Sequence, residues 1–145
     1  GDWSSDVCSS DLKFEQLMSR FDEDNTIYRQ PCPKLVELVE AGRLDDAQAV
    51  DCALREYLEP YDMERMDSIV LGCTHFVFYR SQLRHLIGDH IALVDGNVGT
   101  ARHVQELLLE RGECRKPSSA EGELRIYNSL KQESILKLSR ALLER

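Results

Sequence analysis

The chain holds five cysteines, Cys8, Cys32, Cys52, Cys73 and Cys114, yet no Cys-x-x-Cys pair. Thiols scattered in this way argue against a zinc cage or a disulfide framework and suit a reducing, cytoplasmic setting. No apolar run approaches the ~20 residues that cross a bilayer. Basic residues are also in deficit, with 18 Lys and Arg against 26 Asp and Glu for a net charge of -8. Three of the aspartates and no base fall in residues 1–12, so residues 13–145 carry -5. That balance disfavours nonspecific nucleic-acid binding but leaves room for an anionic substrate held by backbone amides or helix N-termini. Internal repeats and low-complexity tracts are missing. His85, His90 and His103 show no metal-site spacing and are expected to be solvated. What is present, 42% hydrophobic and 30% charged residues over 145, is ordinary for one globular domain with a real core.

The most informative stretch is Ser68 to His75, Ser-Ile-Val-Leu-Gly-Cys-Thr-His. Ile69 to Leu71 is apolar and partly β-branched, which predicts a strand buried on both faces of a parallel sheet, and Gly72 ends it. In open α/β sheets ligands bind where strands end, so Cys73 stands where a substrate is expected. The N-terminal amides of a following helix could lower its pKa toward a reactive thiolate. His75, two residues on, faces the same side if the segment is extended. A lone cysteine after a strand is more often a small core residue. Here the neighbouring hydroxyl and imidazole favour chemistry.

Helical and extended patterns alternate around this point. Phe14, Leu17, Met18 and Phe21 predict an amphipathic helix over Lys13–Phe21. Thr26–Arg29 reads as a short extended stretch leading into Pro31-Cys32-Pro33. Lys34–Glu40 reads as a helix closed by Gly42, and Ala47, Val50, Ala53, Leu54 and Tyr57 mark the stripe of another. Tyr79–Ile87 is a third helix, stopped by Gly88, before a buried strand over Ile91–Val94. Gly96–Gly99 reads as a flexible turn. Thr100 is a candidate cap for a helix reaching about Arg111, with Val104, Leu107 and Leu108 on its buried face. Glu113–Gly122 reads as a surface loop, Leu124–Tyr127 as a last strand and Gln132–Leu143 as a last helix. The alternation indicates an α/β fold, a parallel sheet flanked by helices.

Gly72-Cys73-Thr74-His75, together with Cys32-Pro33, Leu35–Gly42, Asp95-Gly96 and Gly99-Thr100-Ala101-Arg102 in that order, resembles glutamate racemase of the aspartate/glutamate racemase superfamily. The likeness runs from about Lys13 to the C-terminus and covers the later half of such an enzyme. It implies two similar α/β domains facing across a cleft. Residues 13–98 would be an incomplete second domain, 99–122 a crossover helix and loop, and 123–145 a strand and helix returning to the first domain. It further implies cofactor-independent interconversion of L- and D-glutamate by two opposed cysteines, without a metal, in a cytoplasmic enzyme supplying D-glutamate for peptidoglycan. A homodimer of the full-length parent is a further expectation.

Carried over residue by residue, Cys73 is one of the two thiols, His75 assists its proton transfer, and Glu40 matches a glutamate that assists catalysis. Cys73, Thr74 and His75 bind substrate, with the Thr74 hydroxyl and the Cys73 and Thr74 amides on a carboxylate. The partner cysteine falls outside the chain. His75-Phe76-Val77 replaces the family's usual His-Tyr-Pro, and Asp95-Gly96 stands where Asp-Ser-Gly is common, which bears on fine specificity more than on reaction type. Aspartate racemase, a cysteine hydrolase built on Cys73 and His75, and a noncatalytic binding remnant remain alternatives. Residues 1–12, Gly-Asp-Trp-Ser-Ser-Asp-Val-Cys-Ser-Ser-Asp-Leu, resemble an in-frame translated sequencing adapter and are expected to be a disordered, non-biological tail. The chain is therefore expected to be an inactive C-terminal fragment.

Overall fold

A computed structural model describes residue 16 and residues 26–115, 122–130 and 132–145. The chain divides into two units, Gly1–Pro31 and Cys32–Arg145, and the described architecture belongs to the second. In the first, Gln16 is helical and exposed, and residues 26–30 form no strand. The helix expected over Lys13–Phe21 otherwise lies outside the described residues, as does the tail 1–12.

Helix α1, Pro33–Glu40, starts with proline at its first position, where no intrahelical N–H is required. Leu35, Leu38 and Val39 are its buried face. It ends in a Schellman turn, the amide of Gly42 donating to Val39 O (2.9 Å) and that of Arg43 to Leu38 O (2.8 Å). Gly42 holds φ +66°, a backbone region that side-chain-bearing residues rarely enter. Helix α2, Ala47–Leu58, is capped by Asp46, whose Oδ1 accepts the Ala49 amide at 3.1 Å. Val50, Ala53 and Leu54 are buried at helical spacing.

After a 3₁₀ turn at Met63–Arg65, strand β1, Ser68–Val70, pairs in parallel with β2, Ala92–Val94, in the register Ser68–Ala92, Ile69–Leu93 and Val70–Val94. Between them run a 3₁₀ turn, Phe76–Tyr79, and helix α3, Arg80–Ile87, which is the connection a parallel pair requires. Helices α4, Asn97–Glu110, and α5, Glu133–Leu143, complete the described elements. Leu35, Val39, Val50, Leu54, Tyr79 and Ile91 are prominent in a single core cluster between α1, α2, α3 and the sheet.

The α/β class and parallel strands agree with the sequence reading, and five local expectations do not. Val70 and Val94, read as buried on both sides, are 51% and 47% exposed, because the described sheet has two strands and only one of its faces is covered. Helix α4 buries no residue: Val104 and Leu108 are exposed and Leu107 is half-buried, with no described element packed along their side. Leu124–Tyr127 makes no strand, having no described partner strand. Thr100 does not cap α4, and Gly96–Gly99 is not a flexible turn, since Asn97, Val98 and Gly99 already belong to the helix. The helix begins at Asn97, where Asp95 Oδ1 accepts the Asn97 amide (2.9 Å) while Oδ2 is paired with Arg80.

Tyr79 is the largest fully buried side chain, and its hydroxyl donates to Leu35 O at 2.6 Å. Tyr79→Phe removes that hydrogen bond and should lower unfolding stability by about 0.5–1.5 kcal/mol, read by urea titration. Burial pushes the Tyr79 phenol up to about 12. The unfolded chain therefore ionises first. The tyrosine's contribution is whole below pH 10 and falls as the pH rises from 10 toward 12, a decline that Tyr79→Phe should reduce.

Candidate active site

β1 ends at Val70, and the Leu71 amide still reaches across to Val94 O (2.8 Å). The chain then turns sharply: the Gly72 amide donates to Val70 O at 3.1 Å and the Phe76 amide to Cys73 O at 3.0 Å. This turn lifts Cys73, Thr74 and His75 off the carboxyl end of the strand just before the Phe76–Tyr79 helical turn. Cys73 and His75 are half-buried and Thr74 is exposed.

Cys73 Sγ lies 3.4 Å from His75 Nδ1. The other ring nitrogen, Nε2, is 3.5 Å from Glu40 Oε1. Thiol, imidazole and carboxylate thus form a chain across two elements, with Glu40 supplied by the last residue of α1. Which nitrogen carries the proton depends on the tautomer. A proton on Nε2 would face Glu40 and leave Nδ1 to accept from the thiol, the arrangement a base-assisted cysteine needs. The sequence residues Cys73, Thr74, His75 and Glu40 are therefore brought together.

Thr74, His75 and Glu40 open onto a cleft of about 350 Å³ whose near wall also holds Val39 and Phe78. Its far wall is α5, through Leu138, Ser139 and Leu142. The Ser139 hydroxyl is spent on Ile135 O (2.8 Å), so the helix turns a mostly apolar face to the cleft. Sequence reasoning missed this wall; the helical stripe of α5 is visible, but its destination is not.

The other described cysteines have different surroundings. Cys32 precedes α1, packs against the core and has its thiol pushed up to about 11 by burial. Cys52 and Cys114 are exposed. His85, His90 and His103 are exposed, as expected. Among the described residues no group of three His, Cys, Asp or Glu side chains is placed to hold a metal ion.

No family model matches the chain. It is 50% identical over 131 residues to the glutamate racemase of Bifidobacterium longum (strain DJO10A), covering 90% of this chain and 49% of that protein. The chain is homologous to glutamate racemases. The Clostridium perfringens (strain 13 / Type A) glutamate racemase is 40% identical over 132 residues, 91% of this chain and 50% of its own length. A crystal structure of glutamate racemase from Thermus thermophilus, in complex with beta-chloro-D-alanine, superposes with a TM-score of 0.52 at 32% identity, covering 61% of this chain and 33% of that one. The described fold is similar to part of that structure, and the chain spans about half the length of the curated relatives it matches.

Alkylation by limiting iodoacetamide near neutral pH should separate the thiols. The rise at Cys32 from 9.0 to about 11 lowers its thiolate fraction about a hundredfold, so it should react last. Cys73 should outpace exposed Cys52 and Cys114, and His75→Ala should remove that lead. Equal rates at Cys73 with and without the imidazole would show that the pair is not coupled.

Proposed function

We propose that the chain is the portion of a glutamate racemase that carries one of its two catalytic thiols, Cys73. The observation that supports this most is the run Cys73–His75–Glu40 at the end of a parallel strand. The α-hydrogen of an amino acid is a very weak acid, and inverting that centre without a cofactor calls for a base on one face and an acid on the other. Cys73 as thiolate takes the α-proton from one face. A second thiol, in the part of the enzyme beyond these residues, delivers a proton to the opposite face. In the reverse direction the roles exchange.

His75 moves the proton on and off Sγ, and Glu40 orients the ring. The Thr74 hydroxyl, with the Cys73 and Thr74 amides, holds a substrate carboxylate. Residues 13–98 are proposed as the incomplete second domain, 99–122 as the crossover and 123–145 as the return to the first. The whole enzyme is proposed to be cytoplasmic and to supply D-glutamate for peptidoglycan, with a homodimer as its assembly. No described helix is long and apolar enough to cross a membrane.

Incubation with glutamate in D₂O tests the chemistry. The 145-residue chain alone should exchange no α-proton. The same sequence fused to the remaining half of a similar racemase should exchange and racemise, Cys73→Ala should abolish both, and His75→Ala should lower kcat by about 10²–10⁴. Racemisation by the chain alone, or an active Cys73→Ala fusion, would overturn the two-thiol assignment.

A further inference from the structure

Cys73 and His75 ride on opposite sides of one turn. The thiol belongs to the side that leaves β1, and His75 is the residue that opens the Phe76–Tyr79 helical turn. Inside the turn the Gly72 amide bonds to Val70 O and the Phe76 amide to Cys73 O, and neither bond ties the helical side back to the sheet. Both ends of the segment Leu71–Arg80 nevertheless return to the same place, the end of β2. The Leu71 amide donates to Val94 O at 2.8 Å. The Arg80 guanidinium takes the residues on either side of Val94, with Nη2 donating to Leu93 O at 3.1 Å and Nη1 paired with Asp95 Oδ2. Asp95 is itself held: its side chain is 13% exposed, and Oδ1 accepts the Asn97 amide at 2.9 Å. A planar guanidinium on two acceptors fixes geometry as well as charge.

We propose that Arg80 is a positioning residue for the thiol–imidazole pair: it closes the neck of the Leu71–Arg80 segment against β2 and so sets the 3.4 Å separation of Cys73 Sγ and His75 Nδ1. The inference rests on reading Cys73 and His75 as one site. Arg80 spends its bonds on β2 and its exit, and acts on the pair through the helical turn between itself and His75. Tyr79 ties that turn to α1 and serves the Glu40 side of the ring, whereas Arg80 ties it to the sheet and serves the thiol side. A shift of about 1 Å is enough to cost a positioned pair much of its reactivity.

A double-mutant cycle on the 145-residue chain tests this, with alkylation of Cys73 by limiting iodoacetamide read site by site by mass spectrometry. The coupling is the factor by which His75→Ala slows Cys73. It should be several-fold in the parent chain and vanish with Arg80→Met, while Cys32, which packs against the core, stays protected. Arg80→Lys, which keeps a charge for Asp95, should restore part of it. Arg84→Met is the control, since it removes the bonds to Gly88 O (2.6 Å) and Ile91 O (2.8 Å) from the same helix α3 and should leave the coupling whole. Coupling that survives Arg80→Met, or that falls as far with Arg84→Met, overturns the proposal. If Arg80→Met also exposes Cys32, Asp95→Asn decides, because its Oδ1 can still accept the Asn97 amide: lost coupling with Cys32 protected upholds the proposal, and retained coupling sinks it. A parent chain in which His75→Ala leaves Cys73 unchanged would overturn the thiol–imidazole pair itself, a result distinct from coupling that outlasts Arg80.

Discussion

The bond from Tyr79 to Leu35 is the constraint on which the site depends. Tyr79 closes the helical turn that follows His75, and Leu35 lies near the start of α1, which ends at Glu40. A buried hydroxyl satisfied by a backbone carbonyl fixes the distance between two segments more firmly than apolar contact alone, since breaking it strands a polar group away from water. With α1 so placed against the Phe76–Tyr79 turn, Glu40 reaches the outer nitrogen of His75 while the inner nitrogen faces Cys73. A second set of bonds fixes the far end of the same unit. Arg84 Nη1 donates to Gly88 O (2.6 Å) and Ile91 O (2.8 Å), and Arg80 pairs with Asp95 and reaches Leu93 O, so α3 is tied to the entry and exit of β2.

Much of this was legible where the information is local. Ser68–His75 announces a strand ending in a turn that carries Cys73, Thr74 and His75, Pro33 and Gly42 bracket α1, and Gly88 stops α3, because proline and positive-φ glycine act on their own few residues. The partnership of Glu40 with His75 was not legible in spacing, since 35 positions separate them; it came from the likeness to glutamate racemases. Tyr79 was read as the start of a helix rather than as the anchor between helices, because a hydroxyl gives no sign in sequence of which distant carbonyl it will meet. Asp46, by contrast, carried an available signal: an acidic residue directly before an apolar helical stripe is a cap, and that reading was missed.

Three of the readings that failed share one physical cause. Periodicity reports which side of an element is apolar, and burial requires a second surface to cover it. Val70, Val94, Val104 and Leu108 lie on apolar sides as expected, but no described element lies over them. Leu124–Tyr127 has the composition of a strand, but no neighbour to pair with lies among the described residues. The relatives it matches are about twice as long as this chain, and among the described residues no surface covers these apolar sides.

The central claim is that one imidazole joins a thiol to a carboxylate, and the ¹⁵N chemical shifts of the His75 ring test it most directly. Glu40→Gln should move the Nε2 resonance and Cys73→Ala the Nδ1 resonance, each more than the other nitrogen. If neither substitution moves its own nitrogen, the three side chains are neighbours without being a relay, and the account of the site is wrong.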